Sequence, residues 1–188
     1  MSPITHFLIS WGVADTVKLS PRDRALVTLA GVAPDLDGLP VLVDLGARLL
    51  GRPDPFLYGQ YHHMLTHGLP AAIVLALLAG LSAVARVRTG VLAFLVIHLH
   101  LLCDLVGSRG PSVDDIWPLS YLAPLSTQWM LTWSGQWALN AWPNVLLTLA
   151  FLVLALARAT KRGYSPLGLV SSRADAVFVA TLRARFHR

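Results

Sequence analysis

Ser2-Pro3 and Ser20-Pro21 each place a capping hydroxyl before a proline, whose missing N–H costs nothing in the first turn of a helix. Asp23 stands three residues after Ser20, as in a capping box with Asp in place of Glu. This predicts short helices over 3–14 and 21–32. Gly31 to Gly38, with Pro34 inside it, is rich in helix breakers. A further short helix is predicted over 39–50 and a loop over 51–60. From Met64 to Ala85 the only ionisable side chain is His67, so a helix over 66–85 reaches the ~20 apolar residues that cross a bilayer. Arg86 and Arg88 read as a basic turn. Residues 90–106 are apolar again, interrupted by His98, His100 and Asp104, and 116–157 carries neither charge nor histidine. The last part of that run, 138–157, is a strong span candidate. No strand alternation and no internal repeat is visible. The pattern predicts an all-α, membrane-associated helical bundle with about three membrane-embedded helices.

Composition sharpens this picture. Of 188 residues 55% are hydrophobic and 13% charged, with a mean hydropathy of +0.60. That charged share is about half of the ~25% usual in soluble domains, so lipid is an expected partner. There is no glutamate, and all ten acids are aspartates. The single cysteine, Cys103, excludes an internal disulfide and a cysteine-rich zinc site. The net charge is +5, of which residues 158–188 supply +6 and residues 1–157 supply −1. This separates a membrane-associated domain, 1–157, from a basic tail, 158–188. It suits the cytoplasmic side of a membrane and argues against a nucleic-acid partner. Within the tail Val177, Phe178, Leu182 and Phe186 recur at helical spacing among arginines, as in a helix lying on an anionic surface. Trp129, Trp133 and Trp137, spaced by four, predict an aromatic helix face suited to the membrane interface. The N-terminus lacks a basic start and His6 interrupts its apolar run, so no cleavable signal is predicted. The expected location is the bacterial inner membrane, either crossed more than once or with the chain deeply embedded in it.

The candidate chemistry lies in histidines and aspartates. His100 and Asp104 are four apart, on one helix face, and both side chains can reach one cation. Imidazole with carboxylate suits zinc and related divalent ions. A buried histidine bonded to a nearby aspartate is the structural alternative, but ionisable groups in so apolar a segment are usually functional or paired. Tyr61-His62-His63-Met64-Leu65-Thr66-His67 stands at the start of the preceding apolar helix. An antiparallel hairpin brings it to the end where His100 and Asp104 lie: His67 is ~30 Å from the turn and the pair ~15–21 Å. Asp35-Leu36-Asp37 in a tight turn and Thr5-His6 are two further candidates. One of His62 and His63 is expected as a ligand. His98, about 200° around the helix from His100, is expected to pack elsewhere, and His187 belongs to the tail.

At these residues the chain resembles the membrane-bound metal-dependent hydrolases of the LexA-regulated type, distantly similar to zinc phospholipase C and P1 nuclease. That family's pattern runs Thr-His, Pro-Asp-x-Asp, His-Arg-x-x-Thr-His, His-x-x-x-Asp, then Gly and Pro-x-Ser. Here the counterparts are Thr5-His6, Pro34 to Asp37, His62 to His67, His100 to Asp104, Gly110 and Pro118 to Ser120, in order over about 1–120. His63 departs from the usual arginine, so an anionic substrate needs another cation, such as Arg109, or the substrate differs. The resemblance implies a phospholipase C/P1 nuclease-like metal core. Its ligands would be His6, Asp35, Asp37, His62, His67, His100 and Asp104, holding two or three divalent ions. It further implies metal-activated water attacking a phosphoester, phospholipids among the candidates. Asp35 or Asp37 would bridge ions or orient water, and Arg109 would face a phosphate; an arginine snorkelling to the interface is the alternative for Arg109. Two rival functions are a scaffold with a structural metal, which needs closed coordination, and a metal or proton transporter. The apolar first half of 90–106 counts against transport.

Overall fold

The computed structural model describes residues 1–186. Its elements begin with α1 (Pro3–Thr16), capped by Ser2 Oγ, which accepts from the Thr5 N–H at 3.2 Å. The second helix, α2 (Pro21–Ala30), is capped by Ser20 in the same way. Asp23 does not close the expected capping box. Its carboxylate reaches across to another element and accepts the Val84 and Ala85 N–H groups at 2.8 and 3.0 Å. A 3₁₀ turn (Ala33–Gly38) leads to α3 (Val41–Leu49). The stretch expected as a loop contains a short helix, α4 (Leu57–Tyr61). Asp44 accounts for it, accepting the otherwise orphaned Leu57 and Tyr58 N–H groups at 2.8 and 2.7 Å.

The predicted span over 66–85 is a 14-residue helix, α5 (Leu69–Ser82), roughly 21 Å long and too short to cross alone. Gly68 caps it and Pro70 sits in its first turn, so His67 falls in the loop before it. Conversely α6 (Arg86–Gly107) has 22 residues, and Arg86 and Arg88 form its first turn rather than a connecting one. With α7 (Trp142–Arg162) it is, among the described residues, one of two helices long and apolar enough to cross a membrane. The α2 and 33–49 pair, bent by 50°, makes a third if taken as one broken span.

Residues 108–141 depart most from expectation. Instead of a tryptophan-bearing helix they form an irregular cap with a two-residue antiparallel ladder, β1 (Leu119–Ser120) and β2 (Met130–Leu131), Leu119 opposite Leu131. Trp133 and Trp137 meet edge-on at 6.1 Å. This cap satisfies the end of α6, whose last carbonyls have no helical partner. The Gln136 side-chain amide donates to the Asp104 and Leu105 carbonyls, the Trp137 N–H to Val106, and the Asn144 amide to Gly107.

Helix directions follow from the contacts between ends. The N-terminal part of α1 meets the C-terminal end of α6 (His6 with Asp104) and the start of α7 (Thr5 with Thr148). Its other end meets the end of α7 through Asp15 and Arg158, 2.5 Å apart. α6 lies centrally, against α1, α2 and α5. The packed face of α5 is made of small residues, Ala72, Ala76 and Ala79, which meet Ala93, Val96 and Ile97 of α6. A Cβ on Gly80 would stand 3.0 Å from the Arg86 carbonyl. Large side chains point outward instead: Leu77 and Leu81 on α5, Leu95 and Leu102 on α6, Val145 and Leu149 on α7. This inverted distribution fits helices whose solvent is lipid, packed on each other through small residues.

The tail is folded: α8 (Ser172–Phe186) packs on a 3₁₀ turn (Pro166–Leu169) and on α7. Asp175 is buried, accepting from the Ser165 N–H and Oγ, and Val179 is buried, while Val177 and Phe186 are exposed. His187 lies outside the described residues. Lys18, Arg22, Arg24, Arg86, Arg88, Arg158, Lys161 and Arg162 gather at one end of the bundle, and Trp137 and Trp142 at the other.

Replacing Asp23 by alanine removes the buried carboxylate that accepts the Val84 and Ala85 N–H groups, so Asp23→Ala should destabilise the fold by about 2 kcal/mol. Thermal unfolding in detergent should register that loss, with Asp23→Asn falling between the two.

Candidate metal centre

The C-terminal turns of α6 supply the first two donors. His100 Nε2 lies 3.0 Å from Asp104 Oδ2, one turn on. The loop before α5 adds His67, whose Nε2 is 3.2 Å from His100 Nε2 and 3.5 Å from Asp104 Oδ2. The 3₁₀ turn brings Asp35 Oδ1 to 3.8 Å from His100 Nε2. From α1, His6 Nε2 is 3.1 Å from Asp104 Oδ1, and its ring stacks on His100 at 3.6 Å.

The hydrogen-bond partners fix the tautomers. His100 Nδ1 is 2.9 Å from the Gly31 carbonyl, which can only accept, so this nitrogen carries the proton. His67 Nδ1 is 3.0 Å from Asp37 Oδ2, which also accepts the Leu65 and Thr66 N–H groups. In the neutral rings both Nε2 atoms are then lone pairs, pointed at each other beside a carboxylate. Three acceptors without a donor between them repel unless a cation stands there. Two donors at 2.0–2.1 Å from a tetrahedral zinc are roughly 3.3 Å apart, which the 3.0, 3.2 and 3.5 Å separations bracket. Asp35 Oδ2 is buried with no partner among the described residues, a further acceptor. The donor set therefore fits a divalent ion. The Met1 nitrogen lies against the Asp104 carboxylate and is 2.9 Å from Ser108 Oγ; burial lowers its pKa to about 6.

His6 falls into one group with Asp35, His100 and Asp104, whose ligand atoms all lie within 4.8 Å of one another. A second group, His62, His63 and His67, meets the same limit, and His67 joins the two. Burial lowers the His6, His63 and His67 pKa values, that of His6 to about 2, where the Met1 ammonium and His67 add to the effect. These imidazoles are neutral near pH 7, the form that binds metal. A cavity of about 410 Å³ opens beside the cluster, lined by Asp35, Tyr58, His62, His63, Asp104 and Arg109 among others.

A family profile described as YdjM inner membrane protein matches residues 1–170. The chain belongs to the YdjM inner membrane protein family. No curated protein and no solved structure matches it. With two or three helices able to cross, this YdjM-family protein resides in the inner membrane. The expected phospholipase C/P1 nuclease-like core has no structural counterpart among those comparisons.

Of the expected ligands, the YdjM-family fold brings His6, Asp35, His67, His100 and Asp104 together. Asp37 has both its oxygens turned to imidazoles, His62 Nδ1 at 2.9 Å and His67 Nδ1 at 3.0 Å. That is how a carboxylate orients ligating histidines. His62 stacks on Tyr58 at 4.5 Å. His98 faces elsewhere, bonded to the Phe94 carbonyl and the Tyr121 hydroxyl. The sequence favours His62 over its neighbour His63, yet both line the cavity. The place of His63 in the motif, where arginine is usual, is the signal for it. Ser108, bonded to Asp104 at 2.8 Å, and the Gly31 carbonyl are not legible in the sequence as site components.

His100→Ala and Asp104→Ala should each abolish stoichiometric metal in the detergent-purified protein, measured by elemental mass spectrometry. Asp37→Asn should weaken affinity roughly 10–100-fold, and His98→Ala should leave metal content unchanged.

Proposed function

We propose that this protein is a metal-dependent hydrolase of the inner membrane that cleaves phosphoesters, with zinc as its ion. The observation that carries the reading is the pair of imidazole lone pairs of His67 and His100 converging on Asp104 at the edge of an open cavity. A structural metal site is closed by its protein ligands, whereas catalysis needs an open position; the adjoining cavity favours catalysis over a scaffold. Transport is less favoured, since the buried face of α6 toward its other end is Thr89, Ala93, Val96 and Ile97. The choice of a phosphoester rests on the resemblance to LexA-regulated metal-dependent hydrolases and their distant relatives.

A divalent ion there would supply a Lewis acid and lower the pKa of water from 15.7 to about 7. The chain's own residues do the rest. His67, His100, Asp104 and Asp35 hold the ion, with His6 against Asp104. Asp37 and the Gly31 carbonyl keep the two imidazoles in the ligating tautomer. Asp35 Oδ2, lacking a partner, receives the proton of the attacking water. Arg109, held by the Gln136 and Ser112 carbonyls at the cavity edge, meets the anionic phosphoryl group. Neutral His63 cannot supply the charge of the arginine it replaces. The positive-inside rule puts the end bearing Arg86, Arg88 and Arg158 in the cytoplasm and the metal centre on the periplasmic side.

The zinc-loaded protein should hydrolyse bis-p-nitrophenyl phosphate, and chelation should stop it. Asp35→Asn should lower kcat by roughly 10²–10⁴-fold, while Arg109→Ala should act mainly through KM. A zinc-loaded protein inert toward phosphomonoesters and diesters alike would refute the reading. Separately, a reporter fused near Gly110 should be active only if it is of the type that folds in the periplasm.

A further inference from the structure

α3 is apolar on the outside and polar on the inside. Asp44 is its only buried residue, while Leu42, Val43, Leu45 and Leu49 are exposed, Leu49 by 79%. Leu36, Leu39 and Leu50 extend this surface at both ends. Through Leu29 and Leu36 it runs into the lipid-facing side of α2 and α5, where Leu75 and Leu78 line the same cleft. The surface is thus continuous with the face the spanning bundle already offers to lipid.

Its level in the membrane can be read from α6. Asp104 is 18 residues beyond Arg86, roughly 27 Å along the helix, against ~30 Å of hydrocarbon. The cluster therefore lies at the boundary layer opposite the basic end, level with Trp142, near which Asn144 binds the Gly107 carbonyl. α3 leaves the 3₁₀ turn that carries Asp35, so it starts at that boundary. Arg48 and Arg52 close its far end, cations suited to lipid phosphates.

The same helix is tied to the cavity. Asp44 binds the first N–H groups of α4, and Tyr58 of α4 stacks on His62 and lines the cavity wall. α3 and α4 form one unit, with leucines on one side and the cavity wall on the other.

We infer that α3 lies in the membrane interface as an inserted amphipathic helix. The cavity consequently takes its substrate sideways from the adjoining leaflet, an amphiphile whose headgroup phosphoester reaches the metal while its chains stay in lipid. The second half of this inference rests on the hydrolase reading; the first does not.

The full chain, reconstituted in phosphatidylethanolamine and phosphatidylglycerol vesicles, tests both halves. Cys103 is buried, so a fluorophore on Leu45→Cys reports on α3 alone. Spin-labelled lipids should quench it about as strongly as a label on Leu95→Cys of α6. Quenching as weak as at Asp114→Cys, in the exposed cap, overturns the insertion, as does cross-linking of Leu45→Cys to a second copy. The triple variant Leu42→Ser, Leu45→Ser, Leu49→Ser should lose roughly tenfold in kcat/KM toward vesicle phospholipid while keeping its rate on bis-p-nitrophenyl phosphate. Equal effects on both substrates, or none on either, overturn lateral uptake and leave the hydrolase reading intact. Wild-type protein that cleaves neither refutes the hydrolase reading and lateral uptake together, and quenching still decides the position of α3.

Discussion

Two imidazole nitrogens that can only accept are held 3.2 Å apart in a buried place, with an aspartate oxygen beside them. Burying lone pairs and a carboxylate away from water is costly unless a partner compensates. In the neutral rings neither Nε2 can donate to the other, because the ring protons are on the Nδ1 atoms, directed to the Gly31 carbonyl and Asp37. Neutral rings so placed favour a positive charge between them and the carboxylate. The surrounding fold keeps that demand from relaxing. The cap of residues 108–141 clamps the last carbonyls of α6, the Asp23 carboxylate clamps its beginning, and Asp37 fixes the loop that carries His67.

Such a cluster sits in a bundle that has exchanged the usual core for a lipid-facing exterior. Alanine and glycine let α5 and α6 approach closely, and that closeness brings His67 within reach of His100 although α5 itself is short. A bulkier hairpin would part the two nitrogens. Helix packing and the geometry of the His–Asp cluster are therefore one requirement.

The sequence was legible where the controlling interactions are local. Serine caps followed by proline mark the starts of α1 and α2, and the four-residue spacing of His100 and Asp104 fixes their shared face. It was illegible where a distant partner decides. Residues 116–141 are apolar and tryptophan-rich, like a helix, yet Gln136 and Asn144 use their side chains to cap α6 and hold the segment irregular. Asp23 looks like a local cap and serves another helix. α4 exists because Asp44, thirteen residues earlier, receives its first N–H. In Asp35-Leu36-Asp37 only Asp37 turns both oxygens to imidazole Nδ1 atoms, and spacing does not encode that.

The clamp on α6 also bears on the order in which the protein is made. A nascent chain reaching Gly107 contains His6, Asp35, His67, His100 and Asp104, yet lacks Gln136 and Asn144, and lacks Thr148 and Arg158, which hold α1 in register. All the donors are synthesised well before the parts that align them. The geometry of the cluster is thereby a late product of folding, complete only once the cap and α7 have joined α1 and α6.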